Sequence, residues 1–139
     1  VEVSRWTGTP QDAVGQAMDG CTAVCFALPL SAMALGYARL AASEDPSGVR
    51  IREAMMAHPW LVGGTGRPCS DIMAAAPGMV FAKIGAEGVY CAGIPGAGLG
   101  VALKVEDGDM RCAPIALLSV LQQVAARISS RLRTVSRVP

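Results

Sequence analysis

The sequence predicts an α+β fold in which helices pack on an antiparallel sheet and a long helix ends the chain. Residues 29–76 carry apolar side chains at helical spacing, interrupted by proline and glycine turns. Residues 79–105 hold three short strand-like runs, and Pro114 then begins a second helical pattern. This order of helices, an antiparallel meander and a final helix is typical of helices layered on a sheet. We expect the helices to pack on one face of the sheet.

The first part of the chain predicts short elements joined by turns. Residues 9–14 read as a brief helix, and residues 14–20 as a strand that ends at Asp19-Gly20-Cys21. Pro29 opens a longer helix, residues 44–48 form a turn, and a second helix ends at His58-Pro59. A glycine-rich loop and a short helix over residues 70–76 follow.

The second part of the chain predicts the sheet and the final helix. Strands are expected over residues 79–84, 88–92 and 99–105, and Asp107-Gly108 is typical of a hairpin turn. The final helix is expected to bury one stripe of apolar side chains. These are Ile115, Leu118, Leu121, Val124, Ala125 and Ile128.

Composition excludes several classes of protein. Of the 139 residues 52% are apolar and 17% are charged, which argues against a disordered chain. A formal net charge of +1 gives no electrostatic case for nucleic acid or an anionic membrane, and no apolar run reaches the roughly 18 residues of a membrane helix. Residues 1–139 are expected to form a single domain, or a C-terminal fragment of a larger one, because the sequence starts without an initiator Met.

The five cysteines are odd in number and irregular in spacing, at positions 21, 25, 69, 91 and 112. This pattern favours reduced thiols in a cytoplasmic protein over a disulfide scaffold. Cys21 and Cys25 lie four residues apart, but a zinc site needs three or four ligands. The sequence therefore does not predict a zinc site completed within this chain.

Two groups of residues carry candidate chemistry. In Asp19-Gly20-Cys21 the glycine allows a sharp turn, so that carboxylate and thiol can face one pocket. A plain turn with a small buried cysteine is the more common arrangement, because free cysteines are usually packing residues. Lys83 lies in an apolar run, where burial of its cation is costly. Either its ammonium reaches solvent along an extended side chain, or a lowered pKa makes it a proton carrier beside a serine.

Three longer runs together resemble one family. They are AMDGCTAVCFALPLSAMALGYARLA, HPWLVGGTGRPCSDIM and FAKIGAEGVYCAGIPGAGLGVALKVEDGDMRCAP, in that order, within residues 6–121. The chain resembles the C-terminal part of the thermolabile, type II-like bacterial L-asparaginases. Cys25, Cys69 and the final segment RISSRLRTVSRVP (residues 127–139) depart from the family pattern.

The resemblance implies a serine β-lactamase-like or glutaminase-like fold and hydrolysis of L-asparagine to aspartate and ammonia. It implies two serine–lysine pairs and a zinc ion near the substrate. Carried onto this sequence, Lys83 would be the lysine of one pair, Cys21 a zinc ligand, and Asp19 and Gly85 substrate-binding residues. The family's Cys-Ser-Gly-Lys-His motif, which belongs to its N-terminal half, is not in this sequence.

Three alternatives stay open at this point. The chain alone is expected to be inactive, and an inert or truncated fragment is the alternative to part of a working enzyme. A related glutaminase or amidase fits the same residues, because much of the substrate choice lies in the half that is not present. A homodimer of the full-length enzyme also stays open.

Overall fold

The computed structural model describes the backbone of residues 2–135 and the side chains of residues 2–127. The described helices are α1 (Glu2–Thr7), α2 (Leu30–Ala42), α3 (Pro46–Ala57), α4 (Pro59–Gly63), α5 (Pro68–Ala75) and α6 (Cys112–Val135). The described strands are β1 (Gly15–Met18), β2 (Val24–Ala27), β3 (Phe81–Ile84), β4 (Val89–Ile94) and β5 (Leu99–Lys104). The predicted α+β class and long last helix are confirmed.

The three predicted strands form the main sheet, in the antiparallel order β3-β4-β5. Lys83 of β3 lies opposite Cys91 of β4. The β3–β4 turn brings Glu87 and Gly88 to positive φ values of 50° and 73°, the region in which glycine is favoured. In the described residues β3 and β5 are the two edges of this sheet.

Helices pack on both faces of the main sheet, so the expectation of one covered face is wrong. Phe81, Gly93 and Gly100 share a face because they are cross-strand partners. Helix α2 lies on that face, so closely that a Cβ on Gly100 would meet its backbone. Helices α5 and α6 contact the sheet on the other face, where they line an apolar cavity of about 340 Å³.

An aromatic stack joins α2 to β3. The rings of Tyr37 and Phe81 lie 5.7 Å apart between centroids, with 16° between their planes. The Phe81 ring also fills the space that a side chain at Gly93 would need. Phe81 is fully buried, so this contact holds the edge strand β3 against the helix.

The buried stripe of α6 differs from the predicted one. Ala113 and Leu117 are fully buried, whereas Ile115 and Leu118 are 70% and 45% exposed. The small Ala113 lets the start of the helix approach the sheet, and that contact selects the row that includes Leu117, one turn on. Of the other predicted members, Leu121 is half-buried, and the Ile128 side chain lies outside the described residues, as do all side chains after Arg127.

Two turns differ in structure from what the sequence predicted. Asp45 caps α3, accepting a hydrogen bond from the Ser47 backbone N–H at 2.8 Å, and Pro46 is the first helical residue. The predicted turn is therefore shorter than residues 44–48. The turn at Asp107-Gly108 leads into α6, and no strand follows it up to residue 135, so the hairpin prediction is wrong. Strand β2 and helices α1 and α4 were not predicted.

The close approach of α2 predicts a strong effect of Gly100→Ala. The new methyl group would overlap the backbone of Ala34 and Ala38, which cannot move aside without shifting the whole helix. We expect a loss of roughly 3 kcal/mol in the free energy of unfolding, at the upper end for overpacking. Gly96→Ala is the control, since nothing lies within 4 Å of a Cβ there. Equal urea midpoints for the two variants would contradict this packing.

Candidate functional site

Asp19 and Cys21 lie in the turn of an exposed hairpin formed by β1 and β2. The two strands pair antiparallel, with Met18 opposite Val24. The turn is closed by hydrogen bonds from the Asp19 N–H to the Ala23 carbonyl at 2.9 Å and from the Thr22 N–H to the Asp19 carbonyl at 2.8 Å. The predicted strand ending and turn at this position are therefore confirmed.

The turn brings the Asp19 carboxylate and the Cys21 thiol together. One carboxylate oxygen accepts the Gly20 N–H at 2.7 Å, and the other lies 3.7 Å from the Cys21 sulfur, within reach of the thiol hydrogen. Both side chains are exposed, so the interpretation of Cys21 as a buried packing residue is wrong. A thiol and a carboxylate side by side in solvent can bind a cation or hold a polar substrate group.

The hairpin presents apolar side chains to solvent on one face. Alternation along the strands places Met18, Val24 and Phe26 on the same side, and they are 70%, 52% and 45% exposed. The other side carries smaller residues, among them Cys25, whose sulfur donates to the Ala17 carbonyl at 3.4 Å. An isolated two-stranded hairpin is only marginally stable in water, so we expect this hairpin to be stabilised by a surface that covers its apolar face.

Lys83 reaches solvent at the edge of the main sheet. Its side chain is exposed, and its ammonium donates a hydrogen bond to the Ile84 carbonyl at 2.7 Å. The cost of burying the cation is thus avoided in this chain. Gly85 follows directly and donates its N–H to the Val89 carbonyl at 2.8 Å.

The structure brings some of the predicted site residues together and leaves others apart. Asp19 and Cys21 are in contact, and Lys83 and Gly85 are near neighbours on β3 and its turn. Within the described side chains, no hydrogen bond or ion pair joins Lys83 to the hairpin turn. The catalytic, substrate-binding and zinc roles of these four residues stay predictions.

The described residues do not complete a metal site by themselves. Among them, no group of three or more His, Cys, Asp or Glu side chains could hold a metal ion. Cys21 and Asp19 offer one sulfur and one carboxylate donor, and tetrahedral zinc needs three or four ligands. These donors suit zinc chemically, but they need partners from outside the described set.

Sequence reasoning missed a second cluster, beside Lys83. The Cys69 sulfur, fully buried, accepts hydrogen bonds from the Ile84 N–H at 3.2 Å and from the Tyr90 hydroxyl at 3.4 Å. Pro68 is a signal for a helix start, which places Cys69 in the first turn of α5. Nothing in the spacing indicates that this turn meets the edge of β3.

A comparison with protein families decides the ancestry. A family model described as L-asparaginase II matches residues 1–138. The chain belongs to the L-asparaginase II family. The match includes nearly all of the final segment that departs from the family's expected ending. No curated protein matches the chain.

Membership in this asparaginase family supports L-asparaginase function, and with it the class of amidohydrolases that release ammonia from an amide. L-Asparagine is the substrate that the family implies. Among the described residues no helix has both the length and the apolar character to cross a membrane.

The exposure of the five thiols predicts two rates of modification in this asparaginase-family chain. Cys21, Cys25 and Cys112 are exposed, whereas Cys69 and Cys91 are buried. Burial raises the pKa of Cys91 to about 11, which leaves little reactive thiolate at neutral pH. With an aromatic disulfide reagent we expect three fast thiols in the folded protein and five after denaturation.

Two variants check this assignment of thiols. Cys21→Ser should lower the number of fast thiols to two, and Cys91→Ala should leave it at three. Five fast thiols in the folded chain would contradict the packing of α5 against β3 and β4.

Proposed function

We propose that this chain is the C-terminal part of a cytoplasmic, type II-like L-asparaginase with a serine β-lactamase-like fold. The observation that carries the asparaginase assignment is the family match over residues 1–138. The fold assignment is supported by a lysine-bearing edge strand, two further antiparallel strands and a long helix, in that order, with helices on both faces. Five free thiols in the structure support a reducing compartment.

In the proposed reaction a serine hydroxyl from outside this chain attacks the side-chain amide carbon of asparagine. Lys83 in its neutral form accepts the hydroxyl proton as the serine oxygen bonds to carbon. The amide nitrogen takes up that proton as the C–N bond breaks and leaves as ammonia. Water then attacks the acyl-enzyme, which releases aspartate and returns a proton to the serine oxygen. After the proton transfer the Lys83 ammonium has an acceptor at hand, the Ile84 carbonyl at 2.7 Å.

The position of Lys83 supports this role in two ways. An exposed ammonium at an open strand edge can be approached by a serine from another segment without rearrangement of the sheet. Covering that edge would bring a serine hydroxyl beside the amine and exclude bulk water from the proton transfer. The main-chain hydrogen bond then fixes where the nitrogen lies.

Asp19 and Gly85 are the proposed substrate contacts from this chain. The exposed Asp19 carboxylate can attract the α-ammonium group of asparagine, and its hydrogen bond from Gly20 orients the carboxylate. Gly85 directly follows β3, two residues after Lys83, so a ligand beside the ammonium would lie close to its backbone. The place of a Cβ at Gly85 is already crowded by the Val89 side chain, 3.2 Å away.

Cys21 is the proposed zinc ligand, with its remaining partners outside this chain. A bound zinc would supply positive charge beside the substrate and would hold Cys21 as a thiolate. The neighbouring Asp19 carboxylate, 3.7 Å from the sulfur, would place its proposed substrate contact directly beside the ion.

Lys83→Met in the active enzyme is the direct test. The enzyme is this chain joined to, or mixed with, the family's half that carries the Cys-Ser-Gly-Lys-His motif. We expect kcat to fall at least about a hundredfold, the scale for loss of a general base, with an unchanged melting temperature. Ammonia release is the measurement, and the chain alone should release none.

Lys104→Met is the matched control for this experiment. Lys104 is the only other lysine in the sequence, and it too is exposed and hydrogen-bonded to main-chain carbonyls. Its replacement should leave kcat near that of the wild type. Near-normal turnover of Lys83→Met would return Lys83 to the role of a surface residue.

Zinc affinity should depend on Cys21 and on the rest of the enzyme. The chain alone should bind zinc weakly, because two donors seldom repay their desolvation. In the active enzyme Cys21→Ser should weaken binding by about a hundredfold or more, since loss of an outer-shell partner alone costs ten- to hundredfold. Competition with a chromogenic chelator measures this, and Cys25→Ser in the same hairpin is the control. Tight binding that survives Cys21→Ser refutes the assignment.

A further inference from the structure

The edge of β3 has two main-chain groups that no strand satisfies. Ile84 lies opposite Tyr90, and the neighbouring Gly85 N–H points inward to the Val89 carbonyl. The Ile84 N–H and carbonyl therefore point away from β4, toward the open edge. In the described residues no further strand pairs with this edge.

Two side chains take the place of that strand. The Cys69 sulfur accepts the Ile84 N–H at 3.2 Å, and the Lys83 ammonium donates to the Ile84 carbonyl at 2.7 Å. The Ile84 N–H belongs to the peptide that links Lys83 to Ile84. Cys69 therefore restrains the peptide plane from which the Lys83 side chain departs.

Cys69 is itself held from the next strand. The Tyr90 hydroxyl of β4 donates to its sulfur at 3.4 Å, and both residues are fully buried. Burial, together with the hydrogen bond to Cys69, raises the pKa of Tyr90, so the phenol keeps its proton across the working range of the enzyme. The sulfur thus has one donor from β3 and one from β4, which fixes its position across the edge.

We infer that Cys69, oriented by Tyr90, is a positioning residue for Lys83. By restraining the peptide between Lys83 and Ile84 it keeps the amine at the strand edge, where the proposed serine must approach. This inference rests on the proposed function of Lys83. Small displacements of a catalytic group reduce the rate while substrate binding persists, because binding and proton transfer depend on different contacts.

Two variants probe the hydrogen bonds with different risks to folding. Tyr90→Phe removes only the hydroxyl oxygen. Cys69→Ala removes the sulfur and leaves the Ile84 N–H without its acceptor, whereas Cys69→Ser keeps an acceptor of similar size. Cys91→Ala is the volume control, since Cys91 is a second buried thiol, on β4 and not on α5, and makes none of these hydrogen bonds.

Steady-state kinetics of the active enzyme form the test. Cys69→Ala and Tyr90→Phe should each lower kcat about tenfold with KM within twofold, as expected for a misplaced catalytic group. Cys69→Ser should recover most of kcat, and Cys91→Ala should stay near the wild type. Hydrogen–deuterium exchange of the peptide over residues 81–85 should become faster in Cys69→Ala and stay slow in Cys91→Ala.

The outcomes separate this inference from the proposed function. If Lys83→Met is inactive while Cys69→Ala and Tyr90→Phe keep normal kcat, the positioning role falls and the role of Lys83 stands. If kcat falls as much in Cys91→Ala as in Cys69→Ala, Cys69 and Tyr90 contribute only packing, and the inference is overturned. If Lys83→Met is fully active, both the function of Lys83 and its positioning are wrong.

Discussion

The arrangement of this chain depends on how closely α2 approaches the main sheet. At Gly100 the backbone of α2 takes the place of a side chain, and at Gly93 the Phe81 ring does so. These two glycines lie side by side on neighbouring strands. Close contact there sets the height of α2 above the sheet, and the stack of Tyr37 on Phe81 follows from that height. The short edge strand β3 is thereby held against a helix as well as against β4.

The position of Lys83 follows from that packing. Strand alternation puts Phe81 and Lys83 on the same face, but Phe81 is fully buried against Tyr37 of α2 and Lys83 is exposed. The lysine therefore extends to the strand edge, where the Ile84 carbonyl accepts its hydrogen bond. Helix α5 meets the same edge through Cys69. Because the main-chain groups of Ile84 are already hydrogen-bonded to side chains, this edge resists pairing with other strands. The Lys83 amine still remains accessible.

The sequence supports the prediction of local elements better than of their contacts. The three main strands, α2, α3 and the Asp19-Gly20-Cys21 turn are all where apolar spacing and turn residues indicate. The prediction of the buried side chains on α6 was wrong because Ile115 and Leu118 are as apolar as Leu117. Only tertiary contact decides which of these apolar side chains faces the core. The same limit applies to the site, since a hydrogen bond between a helix-start cysteine and a distant strand has no local signature.

The two parts of the proposed site differ in how firmly they are held. Lys83 lies on a strand packed by α2 and α5, whereas Asp19 and Cys21 lie at the tip of a hairpin with every strand residue exposed. Docking of that hairpin would be favourable, because covering the apolar face of Met18, Val24 and Phe26 removes apolar area from water. Docking would also fix the thiol and carboxylate at its tip. Assembly of the proposed zinc and substrate contacts would then be coupled to burial of the hairpin, whereas the strand edge that carries Lys83 exists beforehand.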